Sequence, residues 1–301
     1  MSVLAIIAAL LIEQWRPLGE RAAVDGALGG WAGWIEHTFN AGERHHGIIA
    51  WVVAVVPLVA ATLALHLLLY ALHPLAALVF NIVALYVTLG FRQFSHHFTE
   101  IQLAIKAGDV ERARELIDSW RGPSGVVRSR EEIIRLAIEE ALVASHRHVF
   151  GVLLWYVLLP GPTGAVLYRL AAYLAARWHP LGPFGRFADQ AFFVLEWPAV
   201  RLTAAAFAVV GDFEDAVYCW RTQARSWPDS NAGIVLAAGA GAMGVRLGMP
   251  VQEVEGAQLR PELGVGEPAD GPFLDSTVGL VWRALVMWVF VLLVISIARL
   301  L

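Results

Sequence analysis

Charge is scarce in this sequence. Of its 301 residues only 16% are Asp, Glu, Lys or Arg, against about 25% in ordinary soluble domains, and the formal net charge is only −4. Cysteine is nearly missing as well. Cys219 stands alone, which excludes an internal disulfide and any cysteine-based zinc cluster. Long basic runs are absent, so the electrostatic footprint of a nucleic-acid binder is not there. No basic residue precedes the opening apolar run, SVLAIIAALLIEQW, and no small-residue cleavage site follows it, so a removed signal peptide is not expected. There is no fixed-period repeat and no low-complexity tail.

What fills the space is apolar. Hydrophobic residues make up 58% of the chain and the mean hydropathy is +0.60. This composition implies an all-α, polytopic integral membrane protein with about five or six membrane helices. A first apolar segment near 2–12 is a short span or an interfacial helix. Residues 48–72 and 75–91 each approach the length that a hydrocarbon core of about 30 Å requires, and only His73-Pro74 separates them. They read as a helical hairpin. In 149–177 the PGPTG of 160–164 breaks the apolar run, because proline removes a helix donor and glycine loosens the backbone; a kinked span and a re-entrant pair both fit. Residues 190–210 carry Glu196, Pro198 and Arg201, so that helix is expected to face protein or a polar cavity rather than lipid. Residues 278–298 form the cleanest final span.

Polar segments alternate with these. In 92–148, Gly108 ends one amphipathic helix, Asp109 caps the next, and Ser129 with Glu132 forms a capping box for a third. That segment holds nine Lys and Arg, against three in 13–47 and none at 73–74. The positive-inside tendency therefore places 92–148 in the cytoplasm. The remaining polar segment, 211–277, is rich in Gly, Pro and Asp. The organisation expected is 1–91 as N-terminal membrane helices, 92–148 as a cytoplasmic helical segment, 149–210 as membrane segments, 211–277 as a cytoplasmic glycine-rich segment, and 278–301 as the last membrane helix.

Chemistry concentrates at the membrane edges. FRQFSHHF sets His96 and His97 after one span, and His146, Arg147 and His148 stand before the next, on the same expected face. Such a group can snorkel to lipid headgroups, bind an anion through Arg, or ligate a metal through neutral imidazole. Neither histidine pair has the i, i+4 spacing of a helical zinc motif. Glu139 lies about two turns upstream. In SNAGIVLAAGAGAMGVRLG, residues 230–248, glycines at 233, 239, 241, 244 and 248 let a backbone approach a ligand or another helix, and Asn231 is a candidate helix cap. The stretch lacks the lysine of a P-loop.

These stretches carry a resemblance. SNAG, GAMGVRLG and RPELG resemble the C-terminal signature of the CobD/CbiB family, membrane proteins of cobalamin biosynthesis. GDVERARELIDSWRG, AIEEAL, GPTGAVLYR and PAVRLTA resemble further family segments in the same order, together covering roughly 85–265. The resemblance implies a synthase that joins aminopropanol phosphate to adenosylcobyric acid as an amide, with ATP and a divalent metal as cofactors only if that reading holds. Glu139 is then the candidate catalytic group, and Tyr168, Arg169, Arg201, Asn231, Gly233 and Arg246, with the histidines and Arg147, are candidate ligand-binding residues. The implied partners are the lipid bilayer and a small anionic metabolite or corrinoid precursor, without nucleic acid, in a bacterial inner membrane. The oligomeric state stays open.

The departures are specific. Where synthase members carry E-N-x-x-D, this chain has Val143, Ala144 and Arg147; where they carry N-T-x-D, it has Ala172, Tyr173 and Ala175. Lost carboxylates remove the oxygen ligands magnesium prefers. A sister family, AmpE, a membrane protein associated with β-lactamase induction signalling, is also similar at LLIEQWRPLGERAAVDGAL and at EWPAVRLTAAAFAVVGDFEDAVYCW. This second resemblance implies a noncatalytic sensor of an anionic metabolite.

Overall fold

The computed structural model describes residues 2–15, 22–122, 128–253, 256–258 and 260–298. Part of the AmpE-like N-terminal stretch, 16–21, and residues 123–127 of the long polar segment lie outside the described residues. The chain divides into two compact units, Met1–Gly90 with Gly151–Trp197, and Phe91–Phe150 with Pro198–Leu301. It is an all-α polytopic membrane protein. Among the described residues four helices are long and apolar enough to cross a membrane: Arg44–Leu72, Arg130–Leu158, Arg186–Val210 and Gly271–Ala298.

In the first unit, α1 (Ser2–Trp15) packs on α4 (Pro74–Thr88), and α2 (Ala22–Phe39) packs on α3 (Arg44–Leu72). With 14 residues at about 1.5 Å each, α1 falls short of a bilayer core. Its buried Val3, Ala5, Ile6 and Ala9 give it a protein-facing side. The expected hairpin is present. His73 ends α3 by donating its amide to Leu69 O, and begins α4 by accepting from Leu75 N through Nδ1 at 3.2 Å, with Pro74 in the first turn where its missing N–H costs nothing. The second arm ends at Thr88, three residues before the boundary expected from hydropathy. Val52, Val56, Leu65, Leu68 and Leu72 of α3 remain exposed, as a lipid-facing surface requires.

PGPTG resolves as a turn between α8 (Gly151–Leu158) and α9 (Thr163–Trp178), which pack against each other. The chain therefore turns back on itself there. Gly161 has φ +59 and its face lies on the His66 ring, while Gly164 sits against the Trp155 carbonyl, so a side chain at either position would meet occupied space. The helix α9 then lies on α3, and Trp178, Phe184, Leu174, Ala50 and Ala54 form a buried core beside it. The helix α10 (Arg186–Val210) continues through Pro198, the point at which the chain passes from the first unit to the second. Glu196 on it is buried.

In the second unit α5 (Phe91–Lys106), α6 (Val110–Arg121) and α7 (Arg130–Ser145) form a packed trio. Asp109 accepts from Arg112 N as expected, and Ser129 accepts from Glu132 N, the serine half of the expected capping box. The helix α6 buries Ala113, Leu116 and Ile117 and keeps Arg112–Glu115 and Arg114–Glu111 pairs outside. The central helix is α7. It also contacts α12 (Ser230–Met243) and α13 (Gly271–Ala298), so almost every side chain from Ile133 to Ser145 is enclosed. The last span begins at Gly271, seven residues before its expected start.

Short strands, which hydropathy did not foretell, follow α12. β1 (Val245–Gly248) pairs antiparallel with β4 (Glu262–Leu263), in register Leu247 with Leu263, and parallel with β5 (Glu267–Pro268). Between them β2 (Val251–Glu253) and β3 (Gly256–Gln258) pair antiparallel with each other. Gln223 clasps this small sheet, accepting from Gly264 N at 2.6 Å and donating to Gly264 O at 3.2 Å.

Candidate functional site

Three of the sequence motifs meet at one carboxylate. Glu139, on the enclosed side of α7, accepts from the Gly248 amide through Oε1 at 2.9 Å and from Arg260 Nη1 through Oε2 at 2.7 Å. Both side chains of this pair are about 4% exposed, so the charges are compensated by each other and not by water. Arg260 also donates Nε to Met249 O at 3.3 Å and lies over the Trp227 ring, 5.2 Å from its centroid. The strand β1 delivers Gly248 in a left-handed conformation, φ +79, with its face against the Pro261 carbonyl. A side chain there would strain the backbone and strike Pro261. Glu139, the candidate catalytic acid, is thus held as the anchor between α7 and the sheet.

About two turns further on, His146–Phe150 winds as a π-helical turn between α7 and α8. Such turns interrupt the i→i−4 ladder and re-aim side chains. His146 is buried, with Nδ1 2.9 Å from Thr203 Oγ1. The Thr203 hydroxyl already donates its single proton to Ala199 O at 3.0 Å. It therefore accepts from His146 Nδ1–H, which assigns the tautomer and leaves Nε2 with its lone pair. Arg147, about one-third exposed, donates Nη2 to Asp229 Oδ2 at 3.1 Å. His148 is half-buried on the same turn.

Asp229, not Asn231, is the N-cap of α12: its Oδ1 accepts from the Asn231 and Ala232 amides. Asn231 lies inside the first turn with its side chain buried. The glycine-rich stretch is the body of that helix and not a ligand-facing loop up to Gly244, which closes it in a left-handed conformation. The missing side chains serve close packing. Gly233 abuts Ala224 O and Trp227, Gly239 the Leu142 methyls, and Gly241 the Asp215 carbonyl on α11 (Phe213–Gln223). Arg246, on β1, pairs with Glu262 at 3.4 Å.

The remaining candidates have other surroundings. His96 faces Glu100 one turn along α5 at 3.3 Å, and His97 stacks on Trp120 of α6, 5.8 Å between ring centroids. The contacts of His146 and Arg147 run instead to α10 and to the start of α12. Arg201 is half-buried on α10. Tyr168 and Arg169 belong to the first unit, where the buried Tyr168 ring covers Gly151 and meets Phe192 at 5.5 Å. Of the acidic residues at the start of α11, Asp212 is its N-cap and Glu214 is exposed.

Sequence reasoning passed over Arg260, Asp229 and Thr203 as site residues. Arg260 and Thr203 stand inside the quoted RPELG and PAVRLTA segments, a usable signal. Asp229 directly precedes SNAG, where a helix cap belongs.

The carboxylates of this face are each committed to a guanidinium. Glu139 faces Arg260, Glu140 faces Arg121 at 2.9 Å, and Asp229 faces Arg147. Magnesium needs a near-octahedral shell of oxygens. A donor set already neutralised by three arginines does not fit a resident magnesium ion.

Comparison with known proteins extends along nearly the whole chain. The family model described as CobD/Cbib protein matches residues 6–296. The cobalamin biosynthesis protein CobD of Stutzerimonas stutzeri is 36% identical over 302 residues, covering 97% of this chain and 98% of that protein. Its namesake from Chromobacterium violaceum is 35% identical over 71% of this chain and 70% of its own length, and that from Mycobacterium tuberculosis 31% over 61% of each. None of these is an AmpE protein, and the AmpE likeness finds no support in them. No solved structure matches the chain.

Proposed function

The chain belongs to the CobD/CbiB family, and from that premise we propose that it serves cobalamin biosynthesis as an inner-membrane synthase. Its reaction joins aminopropanol phosphate to adenosylcobyric acid as an amide. One observation carries this reading beyond the overall identity. AIEEAL, GVRLG and RPELG, far apart in the chain, supply the three members of a single buried contact, Glu139, Gly248 and Arg260. That three family-like segments meet in one buried contact of this chain supports the family's ligand class for it.

Arg147 is the group proposed to receive the phosphate of aminopropanol phosphate. It is partly exposed, and its present partner, Asp229, is a surface carboxylate from which a phosphate can displace it. A charge-assisted arginine contact of this kind is worth about 1.5–3 kcal/mol. His148 on the same turn adds a second donor. Because the residues here do not fit a resident magnesium ion, no step is assigned to one. The excess of Lys and Arg in the polar helices of the second unit supports a cytoplasmic position for them.

The test is direct. Purified protein is supplied with adenosylcobyric acid, aminopropanol phosphate, ATP and magnesium, and the amide is sought by mass spectrometry. Product formation is expected, and Arg147→Glu should raise the concentration of aminopropanol phosphate required at least about tenfold. Saturable binding without product would support a second reading, a noncatalytic receptor for an anionic metabolite, which the arginine-paired carboxylates favour. Neither binding nor product would overturn both.

A further inference from the structure

A cluster at the start of α3 stands apart from everything used above. Glu43 occupies the N-cap position of that helix, yet its carboxylate caps no helix amide. It turns instead to His45, with Oε2 3.0 Å from Nδ1. The His46 ring lies beside that of His45, 3.9 Å between centroids. Its Nδ1 is shielded from solvent and has no hydrogen-bond partner. One donor atom from each of Glu43, His45 and His46 falls within 4.8 Å of the other two.

The backbone beneath this cluster is held. Gly42 takes a left-handed turn, φ +81, with its amide donated to Asn40 Oδ1 at 3.0 Å. Gly47 presses against the Phe184 carbonyl, where no side chain could fit. Arg44 donates to Gln190 Oε1 at 2.9 Å. The side chains of Glu43 and His45, by contrast, are more than half exposed, so the donors can close on an ion without moving the fold.

We propose that Glu43, His45 and His46 form a zinc site. Two imidazoles and a carboxylate make a borderline donor set suited to Zn2+ and its neighbours rather than to magnesium or calcium. Zinc bonds of about 2.0–2.2 Å to nitrogen and oxygen set tetrahedral ligand atoms about 3.3–3.6 Å apart, a spacing between the 3.0 Å of the Glu43–His45 pair and the 4.8 Å span of the cluster and within reach of exposed rotamers. Three protein ligands leave the fourth position to water or an external ligand. The amino terminus of α3 carries partial positive charge that opposes a cation. Glu43 supplies the compensating negative charge, which is why the carboxylate is essential to the site and not ornamental. The proposal is independent of the synthase reading.

The experiment is a calorimetric titration of Zn2+ into tag-free protein in detergent, with X-ray absorption at the zinc edge on the loaded wild type. One saturable site per chain is expected, with two imidazoles and light-atom ligands in its shell. His45→Ala and His46→Ala should each weaken binding at least about tenfold, and Glu43→Gln should weaken it as well. His179→Ala should bind as wild type, because His179 has a carboxylate partner, Asp189 at 3.1 Å, but belongs to no such three-donor group among the described residues. Absence of saturable binding overturns the proposal, as does affinity unchanged in the His45→Ala/His46→Ala double variant. A shell with fewer than two imidazoles does so even if every variant were to misfold.

Discussion

Arg260 Nη1 lies 2.7 Å from Glu139 Oε2, although 121 positions separate the two residues in the chain. Enclosed between α7 and the small sheet, each charge depends on the other. Removing one partner leaves an uncompensated buried charge, which costs about 3–5 kcal/mol. Arg260→Ala and Glu139→Ala should each lower the unfolding midpoint sharply, and the two changes together should cost much less than their sum. Thermal unfolding in detergent with a double-mutant cycle measures this; additive effects would show that the pair is not coupled.

Gly241 supplies a second expectation. Its hydrogen occupies the place where α12 meets the Asp215 carbonyl on α11. Gly241→Ala should force the helices apart and destabilise by about 1–3 kcal/mol, despite alanine's better helix propensity. A glycine kept for ligand approach would instead lose affinity at unchanged stability, so melting and ligand titration on one sample distinguish the roles.

Cys219 should be chemically silent in the folded protein. Burial, with a smaller contribution from the nearby Asp215 charge, pushes its thiol up to about 11, and the thiolate is the reactive form. Maleimide should label it slowly at about pH 8 and rapidly after denaturation, as mass spectrometry would show.

That silence makes the native chain a background for topology. Ser119 and Glu267 are both exposed and both belong to the second unit. Ser119→Cys and Glu267→Cys should resist an impermeant maleimide in intact cells and react in inverted vesicles. Labelling of either from outside would reverse the assignment made from the Lys and Arg excess.

Asp270 carries a pH dependence of known sign. Its carboxylate accepts from the Gly271 amide at 2.6 Å and from Arg130 at 2.8 Å, and these contacts, in that order, hold its pKa below the ordinary carboxylate value. A depressed folded-state value stabilises above the unfolded-state pKa, and the stabilisation is lost as pH falls through the folded one. The midpoint difference between wild type and Asp270→Asn should therefore be present at about pH 7 and vanish in strong acid. The pair is exposed, so the difference should be small.

Local rules made much of the fold legible. Hydropathy located α3 and α13, proline and histidine placed the turn at 73–74, and Asp109 and Ser129 announced the helices they cap, because each signal acts within one turn of the chain. The family motifs pointed to Glu139 for the same reason that they pointed to the fold: they are local strings. What those strings do was decided elsewhere. Whether Glu139 is a free acid or an anchored one depends on Arg260, brought to it by a sheet of two- to four-residue strands too short to leave a periodic pattern. Whether the glycines of 233–241 admit a ligand or a neighbouring helix depends on what stands opposite them, and Leu142 and Asp215 stand there only after α7 and α11 have packed. The choice between a kinked span and a returning pair at PGPTG likewise needed α9 to find α3. Spacing along a chain specifies which face a residue occupies; only close packing specifies what that face meets.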